Sequence, residues 1–266
     1  MVVALSEAPR IPELSIIIPA WNEQRRLPAT LRAVCDYARY ALHLTEIVIV
    51  DDGSTDGTPH AIERFTRELL RDADLTTRVW ALGLRNERNR GKGHAVRRGM
   101  LAATGALCLM CDADLSTPIQ EWTRLRDRIA KGFDIVIGSR DLPESRLDPP
   151  QPLFRRLSAW GFRWLRRRML VPAIRDTQCG FKLFTADAAR RVFERATVDG
   201  WLFDCEALAI AEHLGLRIAE VGVTWQDDRD SRVRALPVAL RAWPELRAIK
   251  RRWVDSPPPI DEAKKP

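Results

Sequence analysis

Asp112-Ala113-Asp114 follows the apolar run Ala106–Cys111. Two carboxylates flanking one residue in a loop can hold a hard divalent cation, Mg2+ or Mn2+, through one or both of them. Such an ion commonly bridges to substrate phosphates, where it neutralises a departing diphosphate. A solvated turn accounts for the same three residues, so the spacing alone leaves both readings open. A second acidic cluster, Asp51-Asp52-Gly53-Ser54-Thr55-Asp56-Gly57, follows the β-branched run Glu46–Val50. Its carboxylates can accept hydrogen bonds from a base or ribose, and its glycines let the backbone approach a ligand. A tight turn with an N-cap ahead of a helix at Thr58 fits equally well. Asn89–Ala95, NRGKGHA, is a glycine turn that can offer backbone N–H groups and Lys92 to a phosphate. It is neither G-x-G-x-x-G nor a Walker loop, which argues against dehydrogenase and P-loop chemistry. His94 reads as a turn residue rather than a base.

These clusters need elements to carry them. Ser15–Pro19 reads as a short buried strand, and Leu27, Leu31, Val34 and Ala38 recur at helical spacing within Asn22–Tyr40. Further strands are expected at Glu46–Val50, Arg78–Leu82, Leu107–Cys111 and Asp134–Gly138, with helices at Thr58–Leu70, Gly93–Thr104 and Pro118–Lys131, where Pro118 suits a first turn. Strands alternating with helices predict an α/β fold, a mainly parallel sheet covered on both faces. Ligands bind beyond the carboxyl ends of such strands. Asn22-Glu23, Asp51-Asp52, the Asp112–Asp114 cluster and Ser139-Arg140 all fall there. From about Asp141 to Trp253 the pattern is less regular.

The chain has 266 residues, 45% of them hydrophobic, and a net charge of +7, which allows one sizeable core. The charge is placed unevenly: nine arginines stand against three acids between Arg140 and Arg175, and eight basic residues against two acids from Arg229 to Arg252. Anionic partners follow, namely phosphates, an acidic membrane surface or nucleic acid; ordinary solvated surface is the plainer account. Cys108 and Cys111 form a C-x-x-C inside an expected strand, where side chains three apart face opposite sides, so neither redox nor zinc chemistry is expected. The opening residues lack the marks of a secretory signal, and no apolar run approaches the ~18 residues of a membrane span. A reduced, cytoplasmic setting is expected.

The ordered set SIIIPAWNE, IVIVDDGSTDGT, NRGKGHAVRRGM, CDADLSTP and IVIGSRD resembles family-2 glycosyltransferases of the GT-A fold. Downstream, DTQCGFKLF (176–184), GWLFDCEAL (200–208) and VTWQDDRDSRV (223–233) look like the dolichyl-phosphate β-glucosyltransferase branch. The resemblance spans about Leu14 to Val233. It implies that Pro19, Asn22, Glu23, Asp51, Asp52 and Gly53 hold the nucleoside, with Lys92, Asp112 and Ala113 at the nucleotide sugar and Asp112 and Asp114 binding the metal. Arg140 would face the acceptor phosphate, with Arg156, Lys182, Ser231 and Arg232 also expected there. Asp204 and Glu206 are candidates for orienting sugar or acceptor, or for complementing a helix N-terminus. Relatives in the mannose-transferring branch usually carry Gln where Ser116 stands, a departure that favours the glucosyl branch.

The activity implied is inverting transfer of a hexose, glucose from UDP-glucose, onto a polyprenyl phosphate; GDP-mannose as donor or a non-lipid acceptor is the alternative. A nucleic-acid-binding protein or a silent sugar-nucleotide scaffold would leave the acidic clusters unexplained or idle. Leu153–Leu170 reads as a basic, Trp-containing amphipathic helix, either an interfacial anchor holding the chain peripherally at the cytoplasmic membrane face or a helix docked on the core. The expected layout is an extension over 1–13, a catalytic unit over 14–253 that includes an acceptor loop at 225–233, and a flexible tail over 254–266.

Overall fold

The computed structural model describes residues 11–40, 44–148, 168–226 and 235–259. The chain begins β1 (Leu14–Ala20), α1 (Leu27–Tyr40), β2 (Thr45–Asp51), α2 (Thr58–Arg71), β3 (Val79–Arg85), α3 (Lys92–Ala102) and β4 (Leu107–Cys111). It continues through a 3-10 turn at Ile119–Glu121 into α4 (Trp122–Ile129), then β5 (Ile135–Ser139) and β6 (Arg146–Asp148). After the next described stretch come β7 (Phe181–Thr185), α5 (Ala186–Phe193), α6 (Phe203–His213), β8 (Ile218–Gly222), β9 (Thr224–Gln226) and α7 (Ala235–Lys250). Arg251–Asp255 close the last helix as a single π turn.

Seven strands form one sheet in the order β3-β2-β1-β4-β7-β5-β8, and β6 pairs with β9 in a small parallel ribbon. All neighbours in the large sheet are parallel except β7, which runs antiparallel between β4 and β5. Successive side chains of the central strands enter opposite cores, as the pleat requires. Ile17, Val48, Val50 and Met110 pack with α3, α5, α6 and α7, whereas Ile16, Ile18, Ile47, Ile49 and Leu109 pack with α1, α2 and α4. Cys108 and Cys111 part in the same way, one into each core. Burial, helped by the charge of Glu46, pushes the Cys108 thiol up to about 12, so it is inert as a nucleophile. All five cysteines are buried, and none is in a disulfide.

Several boundaries differ from the periodicity for local reasons. The first helix begins at Leu27 rather than Asn22, because Asn22 has φ 57° and residues 22–24 bond instead to the turn after β2. β3 runs on to Arg85 because every residue of β2 has a partner on it. Pro118 has ψ 139°, outside the helical region, so the helix expected from it starts as a 3-10 turn and becomes α-helical at Trp122. Gly132, at φ 86°, follows its end. Among the described residues, no helix is long and apolar enough to cross a membrane. Residues 153–167 of the expected amphipathic helix and 227–233 of the expected acceptor loop, with Arg156, Ser231 and Arg232, lie outside the described residues.

Candidate active site

The loops after β1, β2, β4 and β5 gather at the carboxyl edge of the sheet, and β7 enters the same edge from the opposite direction. Asp112 and Asp114 leave the end of β4 through a turn in which Leu115 takes φ 50°. The Ala113 carbonyl accepts a 2.7 Å hydrogen bond from Thr30 on α1, which fixes the turn to that helix. Asp112 Oδ1 is 2.6 Å from Lys92 Nζ. Its Oδ2 lies against Gly180, where a Cβ would sit 1.8 Å away, so any larger residue there must displace this carboxylate. Asp114 Oδ1 accepts from the Ser116 N–H at 3.0 Å, and Oδ2 is 3.8 Å from Arg26, whose guanidinium also pairs with Glu23. Among the described residues no third His, Cys, Asp or Glu joins them to cage a metal. Two partly exposed carboxylates fit a hard cation that would take the rest of its shell from diphosphate and water.

The turn after β2 is built on its own two acids. Asp51 Oδ1 caps the Ser54 N–H at 2.9 Å, while its buried Oδ2 lies 3.2 Å from Arg85 Nε without a hydrogen bond from any described residue. Asp51 is itself 1% exposed, so its carboxylate lies under the turn beside Arg85. Asp52, expected beside it, is 2% exposed and accepts from Asn86 Nδ2 at 2.6 Å and from the Arg90 and Gly91 N–H groups. Its role is to tie the β2 turn to the glycine turn before α3. Gly53, at φ 67°, permits that closeness, since a Cβ there would meet the Arg88 backbone at 2.4 Å. Pro19 is buried in β1 opposite Val50, and Asn22 Oδ1 accepts from Thr55 N–H at 2.9 Å, which ties the end of β1 to the turn after β2.

The glycine turn does not offer the phosphate cradle that its sequence suggested. Gly93 and His94 donate their N–H groups to the Asp199 carbonyl, and Cβ atoms at Gly91 or Gly93 would collide with the Asp199 and Val198 carbonyls at 2.3 Å. What remains available is the Lys92 side chain. Burial alone would lower its pKa, but Asp112 and Asp204 more than reverse this, and it stays cationic. His94 is held down by burial and neighbouring arginines, and its Nδ1 lies 3.1 Å from Asn86.

Two further expectations are corrected. Lys182 is 1% exposed, and its ammonium donates to the Cys179 carbonyl and to Asp204, so it cannot meet an acceptor phosphate. Asp204 is pushed up by burial against the opposing pull of Lys182 and Lys92. Glu206, also 1% exposed, spends its oxygens on the Thr197 and Val198 N–H groups, the Thr197 hydroxyl and Trp253 Nε1, and so fastens the chain entering α6. It is structural rather than catalytic.

Arg140 follows β5 and forms a two-pronged pair with Asp176, Nε to Oδ2 at 2.7 Å and a terminal nitrogen to Oδ1 at 2.9 Å. Its guanidinium also faces the Trp225 ring at 5.5 Å. Asp176 was not singled out in the sequence. Burial would raise its pKa, but Arg140 outweighs burial and holds it well below the usual carboxylate range. The signal for it was the position of Asp176 at the head of DTQCGFKLF, the segment that delivers Gly180 beneath Asp112. A cavity of about 970 Å3 lies elsewhere, between Arg168, Trp243, Arg247 and Arg251. It contains none of these acids, and the convergence of carboxylates and cations, not cavity size, marks the site.

A sequence model of glycosyl transferase family 2 matches residues 15–193. The chain is 36% identical over 251 residues to a dolichyl-phosphate beta-glucosyltransferase of Dictyostelium discoideum, covering 91% of this chain and 75% of that one. It is 32% identical over 264 residues to the Homo sapiens protein of the same name, covering 95% and 79%. In fold it is similar to glucosyl-3-phosphoglycerate synthase from Mycobacterium tuberculosis. The TM-score is 0.64 at 17% identity for the complex with UDP, over 90% of this chain and 80% of that one. It is 0.58 for the complex with Mn2+, UDP-glucose and phosphoglyceric acid, over 91% and 77%. The mostly parallel sheet flanked by helices is therefore the GT-A architecture, and the chain belongs to glycosyl transferase family 2.

Proposed function

We propose that this chain transfers glucose from UDP-glucose to a polyprenyl phosphate with inversion, giving a β-linked glucosyl lipid phosphate. The observation that carries the reading is the order of charges along the sheet edge. The Asp51 turn ends β2, Asp112 with Lys92 and Asp114 ends β4, and Arg140 ends β5 on the far side. A nucleoside, a diphosphate and an anionic acceptor meet complementary groups in that sequence. The names of the relatives supply the sugar and the lipid.

In this reading Asp51, Asn22 and Glu23 hold the nucleoside, and Lys92 lies along the diphosphate. Asp112 and Asp114 hold Mg2+ or Mn2+, which supplies charge neutralisation at the leaving diphosphate. Arg140 positions the acceptor phosphate while Asp176 fixes the plane of its guanidinium. A phosphate monoester, with a second pKa near ~6, is already a competent nucleophile. The protein's contribution is then alignment and electrostatic stabilisation, without a strong general base. Attack from the face opposite the diphosphate inverts the anomeric centre. We read residues 14–253 as one catalytic unit working peripherally at the cytoplasmic face of a membrane, with the basic segment 153–170 as anchor.

The test is direct: incubate the protein with polyprenyl phosphate, Mg2+ or Mn2+ and a panel of nucleotide sugars, then identify the glycolipid by mass spectrometry. A glucosyl phospholipid formed from UDP-glucose supports the reading. Product from GDP-mannose alone, or only with a water-soluble acceptor, replaces it.

A further inference from the structure

Trp201 is a large aromatic side chain left 49% exposed beside the charged site. Its neighbours do not share that exposure: Leu202 and Phe203 are 1% and 2% exposed, and they anchor the start of α6 in the core. The backbone under the indole is thus held from one side by packing. On the other side, Gly200 lies against Glu245 of α7, whose side chain would be 3.6 Å from a Cβ there. Trp21 and Trp243 are about as exposed, so what sets Trp201 apart is its place beside the charged site.

Two short steps link the ring to the acidic turn. Asp112 Oδ1 is 2.6 Å from Lys92 Nζ, and that ammonium is 5.4 Å from the centre of the Trp201 ring. Lys92 is also 5.9 Å from the Phe203 ring, so the cation sits in an aromatic corner with Asp112 as its counter-ion. A flat apolar surface next to a fixed cation matches a hexose joined to a diphosphate. The sugar ring has C–H faces that pack on indole, and the anion it carries meets the ammonium. The acceptor side has its own aromatic, Trp225 over Arg140, on the opposite flank of Asp112 in the sheet order. Trp201, on the Lys92 side, belongs with the donor.

We infer that Trp201 is the stacking platform for the hexose of the donor, and that it contributes to the choice of glucose. A glucose ring carries its non-anomeric substituents equatorially and presents unbroken C–H faces. Mannose places one hydroxyl axially and interrupts a face. The inference rests on the nucleotide-sugar reading of the site, and its test separates the two.

Binding of UDP-glucose and of UDP is measured by calorimetry on the wild type and on Trp201→Ala and Trp201→Phe, with Mg2+ or Mn2+ present. Transfer from UDP-glucose and GDP-mannose is measured in parallel. Trp201→Ala should weaken UDP-glucose about tenfold, leave UDP within about twofold, and narrow the preference for glucose. Trp201→Phe should recover part of the loss, which a merely structural role would not predict. Unchanged UDP-glucose affinity in the Ala variant overturns the platform, as does an effect confined to the acceptor KM. A wild type that binds neither UDP nor UDP-glucose overturns the nucleotide-sugar reading and the platform with it. Because the side chain is half exposed, the variants should melt within a few degrees of the wild type, so a loss of binding will not be a loss of fold.

Discussion

Gly180→Ala puts a methyl group where the Asp112 carboxylate now lies. The added carbon would stand 1.8 Å from Oδ2, 2.3 Å from Cγ and 2.7 Å from Oδ1, all under the 3.0 Å limit that real contacts observe. Relief requires Oδ2 to retreat by about 1.2 Å, and turning the carboxylate aside disturbs the 2.6 Å contact of its Oδ1 with Lys92. Misplacing a catalytic group by ~1 Å costs about a hundredfold in rate, or ~2.7 kcal/mol of transition-state stabilisation. Gly180 is not among the glycines of positive φ, so alanine is allowed by the backbone there and the sheet should form as before. Steady-state transfer assays should show kcat down by about two orders of magnitude, with the circular dichroism spectrum kept and Tm lowered by only a few degrees. A variant with wild-type kcat would show that the carboxylate is not needed where the structure puts it, and the assignment of Asp112 to the diphosphate would fall.

Asp114→Asn removes a charged ligand from the hard-cation pair and should nearly abolish transfer. Excess EDTA should silence the wild type until Mg2+ or Mn2+ is restored, and full activity in chelator would refute the metal's part. Lys182→Met strands the buried Asp204 carboxylate and should cost about 3 kcal/mol in urea unfolding. Adding Asp204→Leu should restore much of that, whereas a single variant as stable as the wild type would mean the pair is solvated. Asp176 has a folded pKa below its unfolded value near ~3.9, so its contribution is present above that pH and is lost as pH falls through the folded value. Asp176→Asn should therefore be less stable at neutral pH but lose less between about pH 5 and pH 2; parallel acid limbs would show that the pair does not drive acid unfolding. At low salt the protein should bind anionic liposomes, and replacing Arg163, Arg166 and Arg167 with Ser should remove about 1 kcal/mol per residue. Equal binding by the triple variant would move the anchor elsewhere.

The parallel half of the sheet was legible because each strand up to Asp112 is a short apolar run closed by polar turn residues. Asp112, Asp114 and Arg140 stand out in the sequence because they fall just after such runs. The side chains misjudged were those whose partners are distant in sequence. Lys182 reads as a surface cation, since lysine is seldom buried, and only Asp204, brought over from α6, explains its place inside β7. Glu206 likewise reads as a helix-end acid until Thr197, Val198 and Trp253 are seen around it. Asn22 looked helical from the spacing of the leucines that follow. Its left-handed backbone answers to the turn after β2, a tertiary demand that no local pattern records.

The reversed strand β7 also sets an order of assembly. β1 to β4 are contiguous in the chain up to Cys111, and their pairings close as soon as that stretch exists. β4 then offers its other edge, LCLMC, which stays unpaired until Phe181–Thr185 has been made and has doubled back. A nascent or truncated chain ending before residue 181 carries the nucleoside turns, has no strand beside Asp112, and exposes an apolar sheet edge open to pairing with other chains. A product shortened before β7 therefore lacks the strand that completes the sheet beside β4, and its free apolar edge makes it prone to aggregate.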